Sequence, residues 1–478
     1  MTTPPSVQVL DLDTPIPTEV GVPPRQPRWN DTLAYIADPD RFCRTNLQKH
    51  GPIFKTSVFG GTTVFVGSPA AVEMVFNGDN QYTEIGLPPA TLEMFGPYSL
   101  FQRPDLHRER KSALSPGFSG PMLANYIPTL HQIAAQGLAS WSTTTTLALF
   151  PAVERLCFTT LVPILLGLDI HHGNRALAGL PIDTVQDLKQ CYKTFFEGFY
   201  GLVPWNLPFT AFGRGLRARS QLMDFMAAVI QQRRSQSHGD RSTQAPGNAD
   251  ATPPLTNFLD MMLMGQREDP NSVFEDELIR NQCLLQLWAS HYEISGLVSS
   301  WIYQVVQNPA VLERIRSEIA EGVSQTDQLE TLSLADLKNL PYLEASFKET
   351  LRILPPSSTA NRRLTRSVLL DGVLYRRGWV LIAEPRIAHV LAENFPNPDR
   401  FEPDRFLGDR TPGGRYGYIP FGGGVHACLG AQLALTFAKI FALHLLQRFS
   451  WNAPANPPFV QFPLKHIQDS YQIDLRAL

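Results

Sequence analysis

The sequence predicts a mainly α-helical protein with a minor β portion that comes from both ends of the chain. Residues 53–66 combine β-branched and aromatic residues with a Gly-Gly turn, a pattern typical of a β-hairpin. A long region with helical character follows to about residue 345, and residues 364–383 return to short strands around a turn at Asp371-Gly372. A last strong helix is predicted from about Leu429 to Phe449, and a β-like tail follows it.

Composition places the chain among ordinary globular proteins and excludes one class of partner. Charged residues make up 18% and hydrophobic residues 43% of its 478 residues, which is enough to bury a sizeable core. The formal net charge is −3 and the basic residues form no long runs. We therefore expect no nucleic acid among its partners.

The N-terminal segment and one internal segment differ from the rest in composition. Residues 1–28 are polar and proline-rich, which predicts an extended, poorly ordered arm without the apolar core of a signal peptide. Residues 29–478 are expected to form a single domain, with a mobile surface loop at about 234–256 that is rich in Gly, Pro and Ser. No segment reaches the ~18 apolar residues of a membrane span, so we expect a cytoplasmic protein.

The cysteines indicate a reducing compartment and leave one of them with a special context. The five are scattered and form no CxxC pair, which argues against a disulfide framework and against a structural zinc site. By default each is a buried thiol that packs as a small hydrophobic group. Only Cys428 stands in a sequence context that suggests more.

Cys428 lies in a glycine-rich loop, Phe421-Gly-Gly-Gly-Val-His-Ala-Cys-Leu-Gly430, directly before the last predicted helix. Consecutive glycines permit unusual backbone conformations and let the chain approach a flat ligand closely. A helix N-terminus supplies partial positive charge and free N–H groups, which favour a thiolate. A thiolate with such donors is the ligand that pushes electron density onto a haem iron. The alternative is a glycine loop that contains an ordinary buried cysteine.

Two further motifs lie upstream in the order expected for the same kind of site. Glu349 and Arg352, in the segment SFKETLRILPP, are three residues apart and share one helical face. The segment FEPDRF places Arg405 between them and the cysteine loop. Taken alone, an exposed Glu–Arg pair is a weak signal. The combination of three motifs is specific.

Together these motifs resemble those of the cytochromes P450, over roughly residues 30–478. The resemblance implies the cytochrome P450 fold, haem b (iron protoporphyrin IX) as cofactor and Cys428 as the axial ligand of its iron. It further implies that Phe421 shields the sulfur, that His426 reaches a haem propionate, and that Glu349, Arg352 and Arg405 form a network that locks the loop. The cofactor-binding residues of the loop would be Phe421, Gly422, His426, Cys428, Leu429 and Gly430.

The resemblance also assigns further cations to the haem propionates. Arg362 occupies the usual position, with its neighbour Arg363 as the alternative. His107 and Lys111, in HRERKSALSPGFS, match a second propionate-binding pair, in which lysine replaces the usual arginine. Lysine supplies the charge without a bidentate clamp. Each of these residues is otherwise a solvated surface cation.

The helix expected to face the haem departs from the family pattern. The flanking residues set a register in QLWASHYEISGLVSSWIYQVVQNP with Ala289 and Ser290 at the small-residue positions, Tyr292 at the acid position and Glu293 at the threonine position. Ala289 and Glu293 are four residues apart and share a face of the helix. If Ala289 faces the haem, Glu293 does so too, and the usual acid–alcohol pair is missing.

Three consequences of this departure stay open from the sequence. Glu293 with Ser290 or Ser295 and water delivers protons in a normal reductase-fed monooxygenase. Alternatively, Glu293 acts as a general base on hydrogen peroxide, in a peroxygenase. In a third case the site does not activate oxygen and works as an isomerase or dehydratase. Glu293 is otherwise paired with an arginine or turned away from the iron.

The resemblance implies a monooxygenase that inserts one oxygen atom into an apolar small molecule, by hydroxylation or epoxidation, in secondary or lipid/terpenoid metabolism. The cofactor supplies that chemistry. A separate ferredoxin- or flavodoxin-type protein would deliver the electrons. A haem-binding protein without catalysis is the non-enzymatic alternative. The pocket would draw on Pro88–Phe101, Phe195–Val203, 285–294 and Ser357–Ala360, with Phe195, Phe196 and Phe199 as an apolar lid or as plain core.

Overall fold

The computed structural model describes residues 7–478 with several gaps. Outside the described residues lie 1–6, 12–19, 143–144, 171–172, 200, 202–203, 244–254, 270, 324–328, 360, 409–411 and 462–463, and only the backbone is described at 237–243. The helices are α1 (Asp31–Ala37), α2 (Pro39–His50), α3 (Pro69–Asn77), α4 (Pro89–Phe95), α5 (Pro104–Leu114), α6 (Gly120–Ala139), α7 (Leu149–Leu166), α8 (Val185–Gly198), α9 (Ala211–Thr243), α10 (Phe258–Glu268), α11 (Asp276–Gln307), α12 (Pro309–Val323), α13 (Leu334–Lys338), α14 (Pro341–Ile353), α15 (Pro385–Ala388), α16 (Gly414–Gly417) and α17 (Ala431–Arg448).

The strands are short and come from both ends of the chain, as predicted. They are β1 (Val7–Val9), β2 (Ile53–Thr56), β3 (Thr63–Val66), β4 (Thr83–Ile85), β5 (Thr146–Ala148), β6 (Arg362–Leu364), β7 (Val368–Leu370), β8 (Val373–Tyr375), β9 (Val380–Ala383), β10 (Phe449–Asn452), β11 (Phe459–Val460), β12 (His466–Ile467) and β13 (Gln472–Ala477). The prediction of a mainly α-helical protein with a minor β portion is confirmed.

The largest sheet joins the two ends of the chain. Its order is β2-β3-β9-β6-β4, and β3 pairs in parallel with β9, in a register that places Val64 opposite Leu381. The hairpin predicted at 53–66 is present as the antiparallel pair β2–β3. A parallel pair needs a long crossover, which here contains most of the helices.

The N-terminal arm is more ordered than the sequence suggests. Strand β1 pairs antiparallel with β7, and Gly21 forms a bridge with Val373. The β7–β8 hairpin to which β1 adds turns at Asp371 and Gly372, both with positive φ, as expected for a tight turn. The prediction of a poorly ordered arm is therefore wrong for Val7–Val9, while residues 1–6 and 12–19 lie outside the described residues.

Part of the segment predicted as a loop at about 234–256 is helical. Helix α9 continues to Thr243, and α10 begins at Phe258 behind Asn257, whose side chain accepts the backbone N–H of Asp260. Residues 234–243 are thus helical, and 244–254 lie outside the described residues.

Two long apolar helices form the centre of the fold. Helix α11 is buried along most of its length, and α7 packs against it. Helix α7 is long and apolar enough to cross a membrane, but 78% of it is buried inside the protein, as in the core helix of a globular fold. Ala289, in the middle of α11, is exposed, whereas its neighbours on the helix are half-buried or buried. An exposed residue inside a core helix indicates a cavity.

Candidate active site

A cavity of about 850 Å³ lies between α11 and the loop that contains Cys428. Ala289 lines it from α11, and Cys428, whose side chain is exposed to it, lines it from the loop. Most of the wall is apolar, with contributions from α4, α5, α11, α17 and the segment that follows α14. Ligand sites in proteins are typically concave and mostly apolar in this way.

The cysteine loop is held in a tight turn against α3. The backbone N–H of Cys428 donates to the carbonyl of Phe421, at 3.0 Å. Gly424 has a φ of 64°, in the left-handed region that favours glycine. A Cβ atom on Gly423 would lie 2.3 Å from the ring of Phe76 on α3. The glycines therefore serve the packing of the loop on α3.

Cys428 lies just ahead of helix α17 rather than on its first turn. The helix begins at Ala431, three residues further on. Burial raises the pKa of the Cys428 thiol, whereas the backbone N–H groups of Gly430 and Ala431 lower it. The helix start therefore contributes the donors that the sequence predicted, but in the protein alone desolvation outweighs them.

A buried hydrogen-bond network joins Glu349, Arg352 and Arg405. Arg352 donates from Nε and from one terminal nitrogen to the two carboxylate oxygens of Glu349, at 2.7 and 2.8 Å, and both side chains are fully buried. Arg405 donates to the same carboxylate at 3.3 Å. Arg352 also donates to the carbonyls of His389 and Pro398. The structure thus brings together the three residues that the motifs predicted.

His107 and Lys111, on α5, lie beside the cysteine loop. The two ring nitrogens of His107 contact the carbonyls of Leu100 and Val425, at 2.7 and 3.0 Å. Lys111 Nζ donates to the carbonyls of Val425 and Ala427, both at 2.6 Å. Both residues line the cavity. They fasten α5 to the loop through carbonyl groups, and the charge of Lys111 stays available to an anion there.

His426 completes this group of basic side chains. Its ring lies 3.8 Å from that of His107, measured between centroids. Burial lowers the pKa of His426 to about 2, with further lowering by the positive charges of Arg362, His107 and Lys111. The His426 imidazole is therefore neutral at physiological pH. An anion bound beside these cations would raise its pKa.

Arg362 differs from the expected unpaired cation. It is buried and forms a bidentate pair with Asp79, with Nε 2.6 Å and a terminal nitrogen 3.2 Å from the two carboxylate oxygens. It is not part of the described cavity wall, although its charge acts on His426 and Lys111. Asp79 could not be predicted as the partner of Arg362, because 283 positions separate the two residues. Arg363, the alternative, is exposed.

Glu293 lines the cavity, on the same face of α11 as Ala289. One of its carboxylate oxygens is buried without a hydrogen-bond partner among the described residues. Burial raises the pKa of Glu293 to about 8, so the carboxyl group is mostly protonated at neutral pH. The possibility that an arginine neutralises Glu293 finds no support in the described residues.

Two other candidates on α11 lie outside the site. Tyr292 is not part of the described cavity wall, and its ring stacks on that of Phe196 at 4.4 Å. Ser295 is fully buried and donates to the carbonyl of His291. The expectation that Tyr292 acts in the site, and the option of Ser295 as a partner of Glu293, are therefore corrected. One step along a helix turns a side chain by about 100°, so neighbours of Glu293 need not share its face.

Ser290 remains at the cavity wall but its hydroxyl group is engaged. Its Oγ donates to the carbonyl of Gln286 at 2.8 Å, within the same helix. It can still accept a hydrogen bond, because a hydroxyl oxygen has acceptor capacity beyond its single donor.

An aromatic cluster covers one end of the cavity. Ring centroids lie 4.6 Å apart for Phe95 and Phe199, and 4.7 Å apart for Phe199 and Trp288. All three residues line the cavity. Of the three phenylalanines predicted as a lid, Phe195 and Phe196 are buried outside the described wall, as plain core. Trp288 was not predicted as a cavity residue, because an aromatic residue in an apolar helix is equally expected in the core.

The residues around the cavity fit a flat, dianionic, iron-containing group. Cys428 offers a sulfur that is reached from the cavity, and Ala289 offers a small side chain on the opposite wall. His107, Lys111 and His426 gather basic groups at one edge. The thiol of Cys428 faces the cavity, and one protein ligand suits a haem, which brings four nitrogen ligands of its own.

Comparisons with known proteins agree with this geometry. The Cytochrome P450 family profile matches residues 22–471. The chain is 27% identical over 468 residues to "Putative cytochrome P450 120" of Synechocystis sp. (strain ATCC 27184 / PCC 6803 / Kazusa), covering 97% of both chains. It is 29% identical to "Cytochrome P450 26B1" of Danio rerio, covering 91% of this chain and 82% of that protein.

A solved structure shows the same fold. "Retinoic acid bound cyanobacterial CYP120A1" superimposes with a TM-score of 0.81 at 26% identity, covering 96% of this chain and all of that one. Among the options that the sequence left open, these relatives favour a monooxygenase over a peroxygenase, an isomerase or a protein without catalysis. With the cavity, the thiol and the network already in place, the matches lead to one conclusion: the chain belongs to the cytochrome P450 family of haem-binding monooxygenases.

Proposed function

We propose that this cytochrome P450 holds haem b through Cys428 and inserts one oxygen atom into an elongated apolar molecule. The observation that carries the proposal is the cavity of about 850 Å³ with Cys428 on one wall and Ala289 on the other. The domain responsible is residues 29–478, and we propose that it works in the cytoplasm.

The residues that would hold the haem divide into four groups. The sulfur of Cys428 would bind the iron, and Ala289 leaves room on the opposite side. Phe421 and Gly422 line the cavity next to the sulfur and would cover it. The propionates would be met by the basic edge and by residues near it, which are His107, Lys111, His426 and Arg362. Leu429 and Gly430 complete the loop.

When bound, the haem supplies the activation of oxygen. This chain's own residues control the surroundings. Glu293 lines the cavity and holds a proton on its carboxyl group at neutral pH. We propose that it is the residue that donates protons in the site, with Ser290 as the acceptor that orients an intervening water. A donor whose pKa lies near the working pH is efficient in both directions.

The apolar wall selects the substrate class. Phe95, Phe199 and Trp288 supply large flat surfaces, and Leu285 and Ile294 extend the apolar surface along α11. The cyanobacterial relative has been solved with retinoic acid bound. We propose substrates of that size and shape, within lipid or terpenoid metabolism, with hydroxylation or epoxidation as the reaction. Electrons would come from a separate ferredoxin- or flavodoxin-type partner.

Replacing the sulfur tests the proposal. We expect Cys428→Ala to abolish the ferrous-carbonyl absorption band that is characteristic of thiolate-bound haem, while the fold stays intact by circular dichroism. Cys191→Ala is the matched control, because Cys191 is half-buried and lies outside the described cavity wall. A thiolate-type band that persists in Cys428→Ala would refute the assignment.

A further inference from the structure

The apolar cavity has one polar edge, which runs along α11. Gln282, Gln286, Ser290 and Glu293 all line the cavity. Their spacing of four, four and three residues places them on one face of the helix. Ala289, at the centre of the cavity wall, lies three residues from Gln286, so the polar edge passes close to the place where the substrate must react.

Hydrogen bonds along this edge fix the orientation of Gln286. Gln282 is fully buried and donates to the carbonyl of Tyr98, at 2.6 Å. The side-chain oxygen of Gln282 is thereby oriented toward Gln286, whose amide nitrogen donates to it at 3.1 Å. The hydroxyl of Ser290 is turned away, onto the backbone carbonyl of Gln286.

The remaining groups of Gln286 are unused. An amide has an oxygen that accepts and two N–H groups that donate, and one N–H is taken by Gln282. Among the residues that the structure describes, none bonds the oxygen or the second N–H of Gln286. Gln286 is half-buried at the cavity wall, so these groups face the space that a substrate fills.

The charges of the cavity wall decide which ligand group fits there. Arg386 already forms an ion pair with Glu384, at 3.0 Å. Lys111 belongs to the basic edge that the proposed function assigns to the haem propionates, and it donates to the carbonyls of the cysteine loop. A carboxylate placed at Gln286 would face the amide oxygen without a compensating cation, and burying an unpaired charge is costly. A neutral hydroxyl, which donates once and accepts, satisfies both unused groups.

We propose that Gln286 is a specificity-determining residue that binds a neutral hydroxyl group of the substrate. This inference rests on the proposed function, because it presupposes an elongated apolar substrate in the same cavity. It adds that this substrate is an alcohol, and that its hydroxyl group lies along α11 within one helical turn of Ala289.

Two retinoids that differ only in their terminal group test the inference. Ligand affinity is measured on the haem-loaded protein from the shift of the haem absorption band during titration with all-trans retinol and with all-trans retinoate. We expect retinol to bind more tightly. Gln286→Leu should weaken retinol binding about fivefold, as expected for one lost hydrogen bond, and should change retinoate binding less than twofold.

Gln304→Leu is the matched control, because it makes the same change on α11 outside the described cavity wall. It should leave both affinities unchanged. Tighter binding of retinoate than of retinol, or an equal loss for both ligands in Gln286→Leu, overturns the role of Gln286 and leaves the proposed function standing. Binding of neither retinoid overturns the proposed substrate shape, and the inference with it. Circular dichroism confirms that each variant is folded.

Discussion

The carboxyl group of Glu293 shows at the scale of one residue how burial sets chemistry. Its side chain lies at the cavity wall, one oxygen has no hydrogen-bond partner among the described residues, and its pKa is raised to about 8. In the unfolded chain an ordinary glutamate titrates near 4.5. The folded state therefore keeps a proton that the unfolded state loses between these two pH values.

This difference predicts a pH-dependent stability. Because the folded-state pKa is raised, the contribution of Glu293 to the free energy of unfolding should decrease as the pH rises from about 4.5 to about 8. Glu293→Gln removes this contribution, so we expect the variant to be more stable than the unmodified protein at pH 8 by about 4 kcal/mol, and equal to it at low pH. Urea unfolding at several pH values measures this effect.

The control for this prediction is Glu277→Gln, on the same helix. Glu277 is largely exposed and pairs with Arg280 at the surface. Its replacement should leave the pH profile unchanged within about 0.5 kcal/mol. If the free energy of unfolding of Glu293→Gln depends on pH as that of the unmodified protein does, the carboxyl group is ionised in the folded state. Glu293 is then not a proton donor in the site.

At the scale of elements, the fully buried pair of Glu349 and Arg352 fixes helix α14 to the segments that follow it. The carboxylate of Glu349 accepts from Arg352, from Arg405 and from the backbone N–H of Glu402. Arg352 lies on α14 with Glu349, whereas Glu402 and Arg405 belong to one later segment, so the network joins α14 to that segment. Buried charges are tolerated only when they are satisfied in this way.

We predict that Arg352→Lys destabilises the protein although the charge is kept. Lysine cannot donate to both carboxylate oxygens and also reach the carbonyls of His389 and Pro398. The free energy of unfolding should fall by about 2 kcal/mol, and haem occupancy after purification should fall with it. Denaturant unfolding and the ratio of haem to protein absorbance measure the two effects.

Arg44→Lys is the control, since Arg44 pairs with Asp399 at the surface. An exposed pair contributes little, so this change should cost less than about 0.5 kcal/mol. Equal effects of the two substitutions would mean that the bidentate geometry around Glu349 contributes nothing to stability.

At the scale of the whole molecule, several buried histidines make the fold sensitive to acid. Burial lowers the pKa of His131 and of His291 to about 4, and that of His389 and of His444 to about 3. His131 on α6 and His444 on α17 contact each other through ring nitrogens 3.0 Å apart. All four rings are neutral in the fold and gain protons on unfolding below about pH 6.5.

We therefore predict that stability decreases as the pH falls from about 6.5 toward 4. Each histidine contributes a slope of about 1.4 kcal/mol per pH unit within that window. The double variant His131→Leu/His444→Leu should lose the contribution of two rings to this slope, which is up to about 2.7 kcal/mol per pH unit, in urea unfolding at pH 6.5, 5.5 and 4.5. An unchanged slope would show that the two rings already carry a proton in the folded protein.

Features that depend on residues close together in the sequence could be predicted, whereas features that depend on distant residues could not. The cysteine loop, the Glu349–Arg352 pair and the β2–β3 hairpin are short, local patterns, and the structure forms each of them. The face shared by Ala289 and Glu293 follows from helical periodicity alone. The addition of β1 to β7 could not be predicted, because it depends on strands 359 positions apart that meet only in the fold.

The sequence by itself determined the family, the cysteine and the helix that faces it, because these depend on residue types at fixed short spacings. Only the tertiary structure decided that Arg362 is paired with Asp79 and that Tyr292 lies outside the described cavity wall. It also decided that Gln286 presents an amide oxygen and one unbonded N–H to the cavity. Such facts depend on which side chains meet across the core. These contacts are determined by the packing of segments that are distant in the sequence, so no local sequence pattern predicts them.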